Sequence, residues 1–181
     1  LVSEIELEKE SQKQPLPKLP GWTVSHDGSE ITLTKKYNAE EITIKANVVY
    51  SVDSADPESD NGQMVCKPDF AIEIKKGSSI LGLNCAFIQD EDNLEDGQQM
   101  GNKIEDDFQI NEISIYEGEY EKNTYAISGD VVDGNLYDML MNLLEDRGID
   151  QQFAKSLVEY ATVYEHGQYV SLLENLKKFF A

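Results

Sequence analysis

The chain of 181 residues carries 35 acidic residues against 15 lysines and arginines, which gives a formal net charge of −20 at pH 7. Its hydrophobic content of 40%, with one Trp, nine Tyr and six Phe, excludes an acidic disordered tail and predicts one folded domain over residues 1–181. A surface of this charge repels nucleic-acid phosphates and attracts Lys- and Arg-rich proteins. We therefore expect basic protein partners and no direct, tight binding of nucleic acid.

The first 14 residues predict an N-terminal helix with Ile5 on a thin apolar stripe. This stripe is too narrow to stabilise an isolated helix, so the helix must pack on its own domain or on another subunit. Pro15, Pro17 and Pro20 follow and stop the helix.

Residues 21–128 alternate between apolar and polar positions, which predicts an antiparallel sheet of about seven strands. Asp27-Gly28 predicts the first hairpin turn. Two acidic loops, at residues 51–66 and 89–107, interrupt the strands. Acids in or next to these loops are our candidates for binding a basic partner: Asp53, Asp56, Glu58, Asp60, Asp90, Glu91, Asp92, Glu95, Asp96, Glu105, Asp106 and Asp107.

Residues 133–181 show helical spacing and predict two C-terminal helices. Arg147 and Gly148 suit the end of the first, because a cation favours the negative end of the helix dipole and glycine adopts the left-handed cap. Asp150 suits the N-cap of the second. A run of strands followed by a run of helices predicts an α+β fold.

No motif predicts catalysis, a cofactor or a metal. His26 and His166 are far apart in sequence, and the chain has no P-loop, GxGxxG or HExxH sequence. Cys66 and Cys85 form no CxxC pair, and no role follows from their sequence context. A run of about 18 apolar residues is also absent, so no membrane-spanning helix is expected. An enzyme with an acidic pocket stays open as an alternative.

Calcium binding is a second alternative. Asp92, Asp96 and Gly97 fit three positions of an EF-hand loop, but Leu94 and Lys103 occupy positions that need oxygen ligands. The motif fails, and only weak divalent-cation binding by clustered carboxylates stays open.

Several segments resemble the mitochondrial acidic matrix protein family. The likeness is strong in the stretch LYDMLMNLLEDRGID at residues 136–150 and in LLENLK at residues 172–177. Leu19-Pro20-Gly21-Trp22 and Lys67-Pro68-Asp69-Phe70 also agree with the family pattern. These residues serve packing and capping, so they indicate the fold more directly than the function.

The resemblance implies a seven-stranded antiparallel sheet flanked by one N-terminal and two C-terminal helices. It also implies a ring-shaped homotrimer, a cleaved presequence and a location in the mitochondrial matrix. The implied function is that of a non-enzymatic adaptor that binds basic RNA-processing or ribosomal factors and supports mitochondrial gene expression and oxidative phosphorylation. The one-sided apolar stripes of the terminal helices predict trimer contacts at Ile5, Leu172, Leu176 and Phe179.

Overall fold

A computed structural model describes residues 2–11, 14–53, 64–88 and 107–181. Seven antiparallel strands form one open sheet, and they are given below in the order in which they lie side by side. The strands of this sheet are β1 (Thr23–Asp27), β2 (Glu30–Tyr37), β3 (Glu40–Asn47), β6 (Phe70–Lys76), β7 (Ser79–Phe87), β8 (Phe108–Glu117) and β9 (Ala126–Ser128). The helices are α1 (Val2–Ser11), α2 (Gly134–Asp146) and α3 (Gln151–Phe180). This architecture confirms the predicted α+β fold.

The structure departs from the prediction within the first acidic loop. Residues 51–66 contain a two-stranded antiparallel ribbon of β4 (Val52–Asp53) and β5 (Val65–Cys66). Strands of two residues are too short to show the alternation that identifies a strand in sequence. The helix α1 is also shorter than the predicted span of residues 1–14, and of that span the structure does not describe residues 1, 12 and 13.

The core lies between one face of the sheet and the helices α2 and α3. Leu33, Ile44, Ile72 and Leu83 pair in register across four adjacent strands, and all four are buried. Phe153 of α3 packs on this face, with its ring centroid 5.4 Å from that of Trp22. The alternation of the sequence therefore places one apolar set of side chains under the helices and leaves the opposite face open.

Local capping positions the turn between α2 and α3. Gly148 has φ of +78°, the left-handed conformation that glycine adopts at little cost, and it donates its N–H to the carbonyl of Glu145. The Asp150 carboxylate accepts a hydrogen bond of 2.9 Å from the N–H of Phe153. Both caps confirm the prediction, because they depend on residues adjacent in sequence.

The same turn is tied to the sheet by a partly buried ion pair. The Arg147 guanidinium donates to both oxygens of Glu40, at 2.7 Å and 2.8 Å, while the two side chains are only 13% and 10% exposed. Arg147 also lies 4.9 Å from the centre of the Tyr37 ring, and its carbonyl accepts a hydrogen bond from the Lys35 ammonium. Pairing lowers the pKa of the Glu40 carboxyl, because the hydrogen bond from Arg147 favours the ionised form.

Polar contacts attach α1 to α3. His166 Nε2 lies 2.6 Å from Glu8, Tyr169 donates to Glu4 at 2.9 Å, and Lys9 pairs with Glu174. Ile5 is the buried residue of α1. The prediction that this helix needs a packing partner is met within its own domain.

Candidate docking surfaces

Of the acids predicted to bind a basic partner, the structure describes the positions of only two. Asp53 contributes its backbone to β4, and Asp107 directly precedes β8. The others lie outside the described residues: Asp56, Glu58, Asp60, Asp90, Glu91, Asp92, Glu95, Asp96, Glu105 and Asp106. Their role in partner binding stays a prediction.

Asp107 borders a cleft of about 320 Å³ between the start of β8 and the α2–α3 turn. Its side chain accepts a hydrogen bond of 2.8 Å from the N–H of Phe108, and its carbonyl accepts one from Ile88. The cleft is lined by Asp107, Phe108, Met141, Glu145, Ile149, Asp150, Gln151 and Gln152. Among the described residues, three carboxylates and no basic side chain border it, so their charge suits a cation.

A second cleft, of about 280 Å³, lies where the β2–β3 and β6–β7 hairpins meet. It is lined by Lys36, Asn38, Ala39, Glu40, Glu41, Lys75 and Gly77. Two lysines oppose two glutamates in this cleft, and Glu40 is already paired with Arg147. The cleft therefore has no net preference for a cation.

The open face of the sheet carries a cluster that sequence reasoning missed, here called the tyrosine–carboxylate cluster. It comprises Tyr116 and Tyr120 with Glu73, Glu112 and Asn84. Tyr116 donates to Glu73 at 3.1 Å, and Tyr120 donates to Glu112 at 3.2 Å. Burial and the neighbouring Glu73 carboxylate raise the pKa of Tyr116 to about 12, so its hydroxyl remains a donor at neutral pH.

One sequence signal could have indicated this cluster. Two tyrosines separated by three residues flank Gly118 in the acidic stretch IYEGEYEK at residues 115–122. The positive φ of Gly118 turns the chain directly after β8, and the two rings then meet with centroids 5.5 Å apart. Glu73 joins from β6, two strands away, and only the register of the sheet brings it there.

Both histidines have structural neighbours that account for their positions. His26 lies 2.6 Å from the Tyr160 hydroxyl and stacks on Tyr164 with ring centroids 4.3 Å apart. His166 contacts Glu8 of α1. Neither histidine lines the two clefts described above. These surroundings tie β1 and α1 to α3 and provide no feature specific to catalysis.

The predicted trimer contacts differ in exposure. Leu172 and Phe179 are 54% and 83% exposed on the C-terminal part of α3, and Leu176 is half-buried. Ile5 is buried within its own chain, so it would support a subunit contact only by holding α1 in place. An assignment of these residues to a trimer interface stays a prediction.

The described residues were searched for groups of metal-binding side chains and for membrane-spanning helices. Among them, no three His, Cys, Asp or Glu side chains are grouped so as to hold a metal ion. The predicted calcium-loop residues lie outside this part of the chain. No helix within the described ranges is both long and apolar enough to cross a membrane.

Comparison with solved structures shows the same fold in two proteins of trypanosomatid parasites. A Leishmania major protein described as a sequence homologue of the human p32 protein superposes with a TM-score of 0.72 at 18% identity, covering 99% of this chain and 95% of that protein. The Trypanosoma brucei p22 protein gives 0.69 at 16% identity, covering 99% and 94%.

Closer sequence relatives are named for binding and regulation. The mitochondrial complement component 1 Q subcomponent-binding protein of Bos taurus is 36% identical, and the alignment covers 99% of this chain and 69% of the relative. The conserved regulator of innate immunity protein 3 of Caenorhabditis elegans is 34% identical, with 99% and 80% covered. None of these names denotes a catalysed reaction.

A family model described as MAM33, mitochondrial glycoprotein, matches residues 1–180. The sequence has no N-x-Ser/Thr site, so the word glycoprotein in that description has no N-linked counterpart in this chain. The match agrees with the resemblance seen in the C-terminal helices and extends it along the strands. The chain belongs to the MAM33 mitochondrial glycoprotein family.

Proposed function

We propose that this protein is a non-enzymatic adaptor of the mitochondrial matrix that binds basic protein segments through its acidic surface. The partners would be Lys- and Arg-rich proteins, including RNA-processing and ribosomal factors. Through them the protein would support mitochondrial RNA processing, translation and oxidative phosphorylation. The names of the relatives, which denote mitochondrial binding proteins, support this proposal.

The observation that carries the proposal is a net charge of −20 on a folded body. Some of the surface acids have no basic partner among the described residues of the chain. Among the described residues, no lysine or arginine lies within ion-pair distance of Asp107, Glu73 or Glu112. Carboxylates without an internal counter-ion attract cationic partners over roughly 10 Å at moderate salt.

Affinity capture from mitochondria at two salt concentrations tests this function. The tagged protein is expected to retain basic proteins at about 50 mM salt and to release most of them at about 500 mM, because salt screens exposed charges. A bound set dominated by neutral or acidic proteins, unchanged by salt, would contradict the proposal.

We further propose that the protein is a homotrimer whose subunits meet through the exposed apolar residues of α3. Large exposed apolar side chains at Leu172 and Phe179 favour a covered surface. The net charge of each subunit opposes association, so apolar burial at the interface would have to exceed that repulsion.

Light scattering on paired variants tests the trimer. Replacing Leu172 and Phe179 together with Asp is expected to reduce the mass from that of three chains to that of one. The matched control replaces Gln168 and Ser171, two exposed polar residues of α3, with Asp. An unchanged mass in the first variant would show that this surface does not hold subunits together.

A further inference from the structure

The tyrosine–carboxylate cluster depends on a glycine, Gly82, in β7, the strand between β6 and β8. A Cβ on Gly82 would stand 2.6 Å from Ser114 Oγ and 3.1 Å from Cε1 of the Tyr116 ring. Because Gly82 has no side chain, the Tyr116 ring lies over β7 and its hydroxyl reaches Glu73 on β6. The ring is therefore held flat against the sheet at a fixed position.

Tyr120 extends this platform beyond the end of β8. Its ring meets that of Tyr116 at 81° with centroids 5.5 Å apart, and its hydroxyl donates to Glu112 Oε1. Asn84 donates to the same oxygen at 3.1 Å and holds that carboxylate against the sheet. Tyr120 is 50% exposed, so its ring offers an accessible π surface.

Each carboxylate retains capacity to accept hydrogen bonds. Glu73 and Glu112 both use Oε1 within the cluster, and in the described part of the chain no donor reaches Oε2 of either. An ionised carboxylate can accept about four hydrogen bonds. The cluster thus combines ring faces and negative oxygens, and both attract a flat cation.

We propose that the tyrosine–carboxylate cluster binds arginine side chains of a basic partner segment. Guanidinium stacks on aromatic rings and donates two parallel hydrogen bonds to a carboxylate, which a lysine ammonium does not do. The site rests on the proposed function and assigns one specific position to the contact with basic partners.

The spacing of the cluster also sets the kind of segment that fits. Glu73 and Glu112 lie on β6 and β8, on either side of β7, so their backbones are roughly 10 Å or more apart across the sheet. We therefore assign one arginine to each carboxylate. An extended segment with two arginines four residues apart can place both on the same side, because a strand rises roughly 3.3 Å per residue and alternate side chains face the same way.

Lys75 is a basic residue of the chain on the same face as the cluster. It follows Glu73 by two residues on β6 and pairs in register with Ile80. Its ammonium repels an incoming arginine, so Lys75→Gln is expected to strengthen binding.

Fluorescence anisotropy with a labelled peptide of sequence Gly-Arg-Gly-Ser-Gly-Arg-Gly tests the site on the full chain. Glu73→Gln and Glu112→Gln are each expected to raise the Kd about fivefold, in line with an exposed charge or cation–π contact. Tyr120→Leu is expected to weaken binding similarly, while Tyr120→Phe retains the ring and most of the affinity. A peptide with citrulline at both arginine positions should not bind.

Glu159→Gln provides the matched control, because it removes one exposed carboxylate from α3, on the helix-covered side of the sheet. Its Kd should stay within about twofold of the unmodified protein. Thermal unfolding of each variant confirms that it is folded. Equal weakening by Glu159→Gln and the cluster variants would overturn the site but leave the proposed function standing. Absence of any salt-sensitive binding by the unmodified protein would overturn both.

Discussion

Glutamates at two places in the same sheet differ in their partners: one is paired with a cation of the chain, and the others contact only neutral donors. At the start of β3, Glu40 is partly buried and accepts two hydrogen bonds from the Arg147 guanidinium. On the open face, Glu73 and Glu112 accept hydrogen bonds from tyrosines, and no cation of the described chain pairs with them. The Glu40 carboxylate is already paired within the chain, whereas the Glu73 and Glu112 carboxylates stay available to a partner.

This difference shows why net charge alone is a poor guide to a binding surface. A buried carboxylate with a bidentate partner contributes to the free energy of unfolding, and its negative charge is already cancelled. An exposed carboxylate held by neutral donors contributes little to that free energy but keeps its charge. Stability and binding should therefore respond to different substitutions.

The largest effect is expected from Arg147→Ala, which leaves the partly buried Glu40 carboxylate without its cation. The free energy of unfolding should fall by about 2–4 kcal/mol, because two charge-assisted hydrogen bonds to Glu40 are lost together. Chemical denaturation measures it, with Lys155→Ala on the exposed surface of α3 as the control. A loss below about 1 kcal/mol would mean that the Arg147–Glu40 pair does not anchor the helices.

A smaller effect of the Arg147–Glu40 pair is expected in the dependence of the free energy of unfolding on acidic pH. Because the folded-state pKa of Glu40 lies below its ordinary value, the pair contributes fully at pH values above about 4.5. That contribution is lost as the pH falls through the lowered pKa. Glu40→Gln should cost about 1.5–3 kcal/mol at pH 7 and progressively less toward pH 3. Denaturation of both proteins across this range measures the difference, and a gap independent of pH would contradict the assignment.

The smallest effect on stability is expected at the tyrosine–carboxylate cluster. Glu73→Gln should change the free energy of unfolding by less than about 0.5 kcal/mol, because Glu73 is exposed and the amide can still accept from Tyr116. The same denaturation assay measures it. A loss comparable to that of Arg147→Ala would show that Glu73 serves the fold, and the contrast between the two regions would disappear.

The elements predicted well from sequence are those fixed by neighbours along the chain. Gly148 and Asp150 cap their helices through residues three positions away, and Gly28 closes its hairpin with φ of +57°. Such contacts leave a local pattern that sequence reasoning can read. The β4–β5 ribbon left no such pattern, because each of its strands has two residues.

Only the two tyrosines of the tyrosine–carboxylate cluster leave a local signal in the sequence, and the complete cluster could not be predicted from it. Its members come from β6, β7, β8 and the turn after β8, and they meet only in the register of the sheet, which shifts at Asn84 and Cys85 through an irregularity in the β7–β8 ladder. A one-residue change in register would turn Glu112 to the other face. The Arg147–Glu40 pair likewise joins residues separated by 107 positions.

The most direct test of the central claim is the salt dependence of binding between the purified protein and an Arg-rich peptide. Exposed carboxylates without internal counter-ions predict a Kd that rises at least tenfold between about 50 mM and 300 mM salt, because screening removes their attraction. An affinity that stays constant over this range would contradict an acidic docking surface.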